Sequence, residues 1–341
     1  MPARKTVTIR DVARRAGVSP GTASRAMNKS PLVNQETRQR VLDIAQQLDY
    51  HPSVVARRLS IGKTLTIAVI VPFFTRPSVL ERLSGAVSAL SQSQYDLVIR
   101  DIETPEQRYA GFADILRQER VDGALLISLP ILDNEIPQLV NADVPIVLID
   151  TNHPALTSLH SLTGDDLAGG EAATQHLVGL GHRRIGFVGD FVENPFYFAS
   201  SRDRYYGYLR ALQAAGIPFY PEYYREHQHG RYEARQQAKT VLSLAERPTA
   251  IFAASDHQAV GVLEAAKEVG LRVPEDLSVV GYHDLEIADV MGLTTMRQML
   301  FESGQLGVEL LLQALDNPQM EPVHEILPAE LVIRRTTGPP P

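Results

Sequence analysis

DVARRAGVSPGTASRAMN, residues 11–28, sets a short apolar seam inside a ring of arginines and breaks it at Gly17. Thr8 can cap a helix that starts at Ile9, and Asp11 is favourable at the positive end of that helix dipole. Ile9, Val12, Ala13 and Ala16 then recur on one helical face. Gly17 permits a left-handed stop, and Ser19-Pro20 offers the cap and first-turn proline of a second helix. A third amphipathic stretch, Asn34 to Leu48, adds Val41, Ile44, Ala45 and Leu48 to a small core. Two short helices joined by a glycine turn and backed by a third make a helix-turn-helix pattern.

The charge around this pattern is lopsided. Residues 1–62 carry eleven Lys/Arg against four acids, a net +7, while the remainder carries −14. A basic head on an acidic body suits a polyanion-binding module. The second helix exposes Thr22, Ser24, Arg25 and Asn28: short polar groups for phosphates and one guanidinium fork for guanine N7 and O6. Past Tyr50-His51-Pro52, the run SVVARRLSIGK places Val54, Val55, Ala56 and Leu59 beside Arg57 and Arg58. A helix this short folds only on a partner, and an apolar wedge beside arginines is what minor-groove binders insert between base steps.

TIRDVARRAGVSPGTASRAMN, VNQETRQRV and YHPSVVARRL together resemble the DNA-binding head and hinge of the LacI/GalR (lactose/galactose-repressor) family. The resemblance implies that Pro20, Gly21 and Arg25 sit at base-reading positions. Thr8, Ser19, Thr22, Ser24 and Asn28 join the DNA contacts, with Ala56 and Leu59 at the centre of a pseudo-palindromic operator. Asp49 stands where that family usually has glycine, a left-handed position that Asp tolerates at some cost.

From Leu65 onward, the runs LTIAVIVP, YDLVIRD, DGALLIS, PIVLID, RRIGFVGD, TAIFAAS and LSVVGY alternate with amphipathic helices. Buried strands separated by helices mean parallel sheets covered on both faces. Seven such units exceed one tidy sheet, and SLHSLTGDD (158–166) reads as a crossover. The expected fold is an all-α helix-turn-helix head (1–50), a hinge (51–63) and an α/β body (64–341) of two doubly wound parallel-sheet subdomains with three crossovers. The N-subdomain is expected over about 64–163 and 294–324, the C-subdomain over about 164–293 and 325–337, with crossings near 162–164, 291–296 and 323–327. The same family resemblance extends through ATQHLVGLGHRRIGFVGD, RPTAIFAASDHQAVG and LRVPEDLSVVGYHDL, and it implies a core of the type I periplasmic-binding-protein kind that binds effector in its cleft.

Ligands in such sheets bind beyond the carboxyl ends of the strands. The candidates there are Phe73, Arg76, Ser128 and Asp150 in the first subdomain. In the second they are Phe191, Phe196, Arg204, Ser255, Asp256, His283, Asp284 and Gln298. Asp150, Arg204 and Gln298 match effector-contacting positions of the family. Carboxylates and arginine forks bind vicinal hydroxyls while aromatic faces stack on sugar C–H surfaces, so a mono- or disaccharide is expected. Ser255 replaces a common Asn, His283 the first Asp of a paired run, and Ser78-Val79 a frequent Phe-Phe pair.

The absence of cysteine excludes disulfide and thiolate chemistry, no signal-peptide or membrane-length apolar run is present, and the expected setting is the cytoplasm. Phosphate-loop, dinucleotide, metalloprotease and nucleophile-elbow motifs are all missing, so neither enzyme activity nor a cofactor or metal is expected. The expectation is a homodimeric transcriptional regulator of repressor type, with effector-controlled operator affinity. Two alternatives stay open: a transporter's carbohydrate-binding protein, which residues 1–62 argue against, and a regulator sensing a purine or phosphorylated metabolite.

Overall fold

The structure is a computed structural model that describes residues 7–28, 30–50, 62–109, 116–117, 119–193, 196 and 198–341. It divides into two compact units, Met1–Thr64 and Leu65–Pro341. Most of the expected hinge, with Ala56 and Leu59, lies outside the described residues.

In the first unit, α1 (Ile9–Ala16), α2 (Pro20–Met27) and α3 (Gln35–Gln47) follow the expected boundaries. Asp11 turns back to accept from the Thr8 backbone N–H at 3.0 Å and hydroxyl at 2.7 Å, which ties down the first turn of α1. Gly17 closes α1 at φ 67°, a left-handed conformation that costs a side-chain-bearing residue more. Ser19 Oγ accepts from the Thr22 N–H at 3.1 Å to start α2 behind Pro20. Val12, Ala13, Ala16, Ala23, Ala26, Val33, Val41 and Ala45 form the buried core that the three helices share. Asp49 takes φ 52°, the left-handed geometry expected at that position.

The second unit holds two six-stranded sheets. The first contains β1 (Thr66–Pro72), β2 (Asp96–Ile102), β3 (Gly123–Ile127), β4 (Ile146–Ile149), β5 (His160–Gly164) and β11 (His324–Leu327), in the order β2-β1-β3-β4-β5-β11 and parallel throughout. The second contains β6 (Ile185–Asp190), β7 (Tyr224–His227), β8 (Ala250–Ala253), β9 (Ser278–His283), β10 (Thr294–Gln298) and β12 (Ala329–Val332). Its order is β7-β6-β8-β9-β10-β12, with only the β10–β12 pair antiparallel. The strand order reverses beside β1 in one lobe and beside β6 in the other, the doubly wound arrangement.

Two of the expected crossings move. β10 pairs with β9, so 294–298 belongs to the second lobe and not to the N-subdomain; β11 pairs with β5, so 324–327 belongs to the first lobe. The chain therefore crosses after Gly164, after Gln298 and after Leu327. Backbone pairing partners, which local sequence does not encode, decide both corrections.

Each lobe clamps a pair of helices at close-approach glycines. Helices Pro77–Leu90 and Leu300–Asp316 meet so tightly that a Cβ on Gly85 would overlap the Phe301 carbonyl, and one on Gly304 the Arg82 carbonyl. In the second lobe, helices Asp166–Gly179 and Ser200–Ala214 meet at Gly170 and Gly207, where a Cβ would strike the backbone of Arg204 and Leu167. Both crossings fix an arginine-bearing helix against its neighbour.

Candidate functional site

The described DNA-contact candidates lie at the start of α1 and along α2. Thr8, Ser19, Pro20, Gly21, Arg25 and Asn28 are exposed and Thr22 and Ser24 half-buried, while Ala23 and Ala26 face the core. The Arg25 guanidinium folds back to the Gly21 carbonyl at 3.2 Å, beside the capped start of α2. A helix N-terminus with a short hydroxyl cap and an adjacent guanidinium can hold a phosphate while the fork reaches a base edge.

In the second unit, a cavity of about 500 Å³ opens between the carboxyl ends of the two sheets. The chain leaves several of these strands abruptly: Phe73, Ser128 and Asp150 follow β1, β3 and β4 at φ 49°, 53° and 57°, and His283 ends β9 at φ 113°. Such left-handed geometry costs non-glycine residues energy and clusters where function over-determines the backbone. Here it turns Ser128, Asp150 and His283 into the cleft, while Phe73 packs against the core of the first lobe.

Each lobe presents one buried arginine–aspartate pair to that cavity. In the first, Arg82 Nη2 meets Asp150 Oδ1 at 2.9 Å, and the Ser128 hydroxyl donates to Asp150 Oδ2 at 2.7 Å. In the second, Arg204 Nε donates to Asp166 Oδ1 at 2.9 Å, Nη1 donates to the Ala254 carbonyl at 2.6 Å, and the guanidinium lies 3.8 Å from the Tyr282 ring centroid. Burial pushes the Asp166 carboxyl up, with Arg204 pulling against it. Buried pairs repay their desolvation poorly, so two in one cleft argue for a task other than stability.

Other polar groups complete the wall. Burial alone would raise Asp190, yet the His229 N–H at 3.1 Å and the nearby Arg76 hold it below the usual carboxylate range. Gln258 Nε2 also donates to Asp190, at 2.8 Å. Burial, followed by the Arg204 and Arg82 cations, drives His283 well below its ordinary value, so it faces the cavity as a neutral imidazole. Arg76 lies 4.4 Å from the Phe73 ring centroid and 5.1 Å from that of Phe198, and burial lowers its pKa against the pull of Asp190.

Of the expected ligand contacts, Arg76, Ser128, Asp150, Arg204, Ser255 and His283 line the cavity. The other six lie elsewhere. Phe196 is buried in the first lobe's core against Phe73, and Arg108, held by Glu135, donates to its carbonyl. Phe191 is exposed outside the cavity. Asp256 is fully buried, accepting from the Thr295 hydroxyl at 2.5 Å and the Leu285 N–H at 2.8 Å. Asp284 pairs with Arg297 and Arg334, and Gln298 lies at the crossings, donating to Asp166 at 3.0 Å. Arg82, Asp166 and Gln258 join the wall unforeseen. An arginine inside the apolar stripe Val79, Leu83 and Ala86 was the available signal for the first.

Among the described residues, no cluster of three metal-ligating side chains occurs and no helix is long and apolar enough to cross a membrane.

A helix-turn-helix head followed by a two-lobed core with a polar cleft defines a ligand-responsive DNA-binding regulator. Residues 8–53 match the model of bacterial regulatory proteins of the lacI family, and residues 174–337 match a periplasmic binding protein-like domain. The chain is 32% identical over 337 residues to the transcriptional repressor PurR of Vibrio vulnificus (strain CMCP6), covering 96% of this chain and 98% of the relative. It is 34% identical over 314 residues to the ribose operon repressor of Haemophilus influenzae, covering 91% and 92%. A crystal structure of the lac repressor dimer bound to operator and an anti-inducer superposes with a TM-score of 0.86 at 29% identity, over 98% of this chain and 100% of that one. The regulator CelR in complex with cellobiose gives 0.70 at 29% identity, over 97% and 99%. The chain belongs to the lacI family of transcriptional regulators, whose members bind operator DNA and small-molecule effectors as dimers.

Proposed function

We propose that the effector is a neutral mono- or disaccharide held between the Arg82–Asp150 and Arg204–Asp166 pairs. The observation that carries this reading is the balance of the cavity wall: three arginines stand among five aspartates, with one phenyl ring, Phe198. Fixed arginine and carboxylate edges from both lobes match vicinal hydroxyls, which donate to one and accept from the other. A phosphorylated metabolite would face surplus negative charge. A purine would want two stacking faces, and the wall offers one phenyl. Relatives named for ribose and crystallised with cellobiose point the same way.

On DNA, α2 reads a half-site through Arg25 and the backbone around Pro20 and Gly21, and a homodimer spans a pseudo-palindrome. Leu80 and Val87 on one helix and Val98 and Ile99 on β2 give the first lobe exposed apolar surface suited to a second copy. The absence of a membrane-length helix among the described residues fits a cytoplasmic setting.

The test is a thermal-shift screen of the purified chain against sugars, sugar phosphates and nucleobases. A sugar at a hundred times its Kd adds about 2.7 kcal/mol of stability. Arg204→Ala is expected to abolish that shift and leave operator binding intact. A shift with a phosphate or nucleobase alone contradicts the reading.

A further inference from the structure

Below the ligand cleft, a second cavity of about 20 Å³ lies where all three crossings converge: Gly164 of the first, Gln298 and Met299 of the second, and Leu327 and Pro328 of the third line it. Two side chains that line it, from different lobes, each carry a buried polar atom without a protein partner. Arg82 spends Nη2 on Asp150 and leaves Nε–H, a donor; Gln298 spends Nε2 on Asp166 and leaves Oε1, an acceptor. The amide orientation follows from Asp166, which accepts from both Gln298 and Arg204. Buried polar atoms left unmatched are costly and rare, and a cavity of roughly 10–15 Å³ or more holds one water when two or more polar groups face it.

We infer that this cavity is the seat of a single structural water, which accepts from Arg82 Nε and donates to Gln298 Oε1. It closes a hydrogen-bonded line that otherwise breaks at the pivot. Asp150 and Arg82 stand on the first-lobe side, and Gln298, Asp166 and Arg204 on the second. The Ser303 hydroxyl, which donates to the Leu300 carbonyl, lines the same cavity with free acceptor capacity for the second proton of the water. A hydrogen bond through this oxygen joins the lobes at the point about which they turn, where opening displaces its partners least, so it can persist while a contact at the rim breaks.

The test needs no effector and is separable from the sugar reading. A crystal structure of the full-length protein without sugar, at a resolution that orders water, is expected to show one peak within about 3.2 Å of both Arg82 Nε and Gln298 Oε1. No peak there overturns the inference. Arg82→Lys and Gln298→Met are each expected to speed amide exchange at 163–166 and 298–300 about tenfold. The double variant should fall short of the product of the two single effects, since the water link is shared while the direct bonds to Asp150 and Asp166 are lost independently. Multiplicative effects, or unchanged exchange in both singles, overturn it as well; if either variant fails to fold, the crystallographic peak alone decides.

Discussion

At the scale of single residues, Asp256 makes the sharpest solution prediction. Burial raises its carboxyl to about 7, and its hydrogen bonds from Thr295 and Leu285 and the nearby charge of Asp284 modify that push without reversing it. Because the folded value lies above the ordinary carboxylate value of about 3.9, the native protein holds a proton that the unfolded chain has lost between these limits. The stabilisation from this group is therefore complete below about pH 4 and lost as pH rises through about 7. Asp256→Asn keeps a side-chain acceptor and removes the titration. In urea unfolding at pH 5 and pH 8, the parent should lose stability relative to the variant at the higher pH; parallel profiles would refute the assignment. On the head, Arg25→Ala should cost about 1–3 kcal/mol of discrimination against mismatched half-sites while leaving sugar binding unchanged. Operator competition assays read this directly, and unaltered discrimination removes Arg25 from the base-reading set.

At the scale of elements, the glycine crossings hold the cleft arginines in place. Gly170→Ala would press a methyl into the Arg204 backbone. We expect a loss of about 1–3 kcal/mol in stability, together with a weakened sugar-induced melting shift, because the helix carrying Arg204 must move. Gly179→Ala, on the same helix with open space around it, serves as the control and should lower neither, adding about 0.4–1 kcal/mol of stability. The buried strands were legible because a strand covered on both faces becomes a continuous apolar run, as in TIAVIVP and GALLI. The edge strands YREH, HEIL and AELV were not, since short, half-exposed segments carry no such run. Thr294–Gln298 fell at an expected crossing, and which lobe it joins depended on pairing with β9. In the cleft, strand-end position identified Ser128, Asp150 and His283. Asp256 and Asp284 satisfied the same positional rule but face inward, to Thr295 and to Arg297 and Arg334, and Phe196 crosses into the other lobe's core. Sequence places a residue at a strand end; rotamer and long-range partners decide where it points.

At the scale of the whole molecule, the division of charge matches the division of labour. A basic head gains affinity from phosphate neutralisation, and its binding should fall steeply with salt. On the proposed sugar reading, the acidic charge of the core disfavours polyanions and suits an uncharged ligand. Linkage between the two requires only that the sugar prefer one lobe arrangement and the operator the same one or the other. The most direct measurement is the anisotropy of a labelled palindromic duplex, selected by the full-length dimer from a random pool, titrated at fixed salt with and without the sugar that raises the melting temperature. A change of about 5–150-fold in operator Kd, absent in Arg204→Ala, is the predicted result. No salt-sensitive preference for any selected duplex, or one that stays the same at saturating sugar, would contradict it.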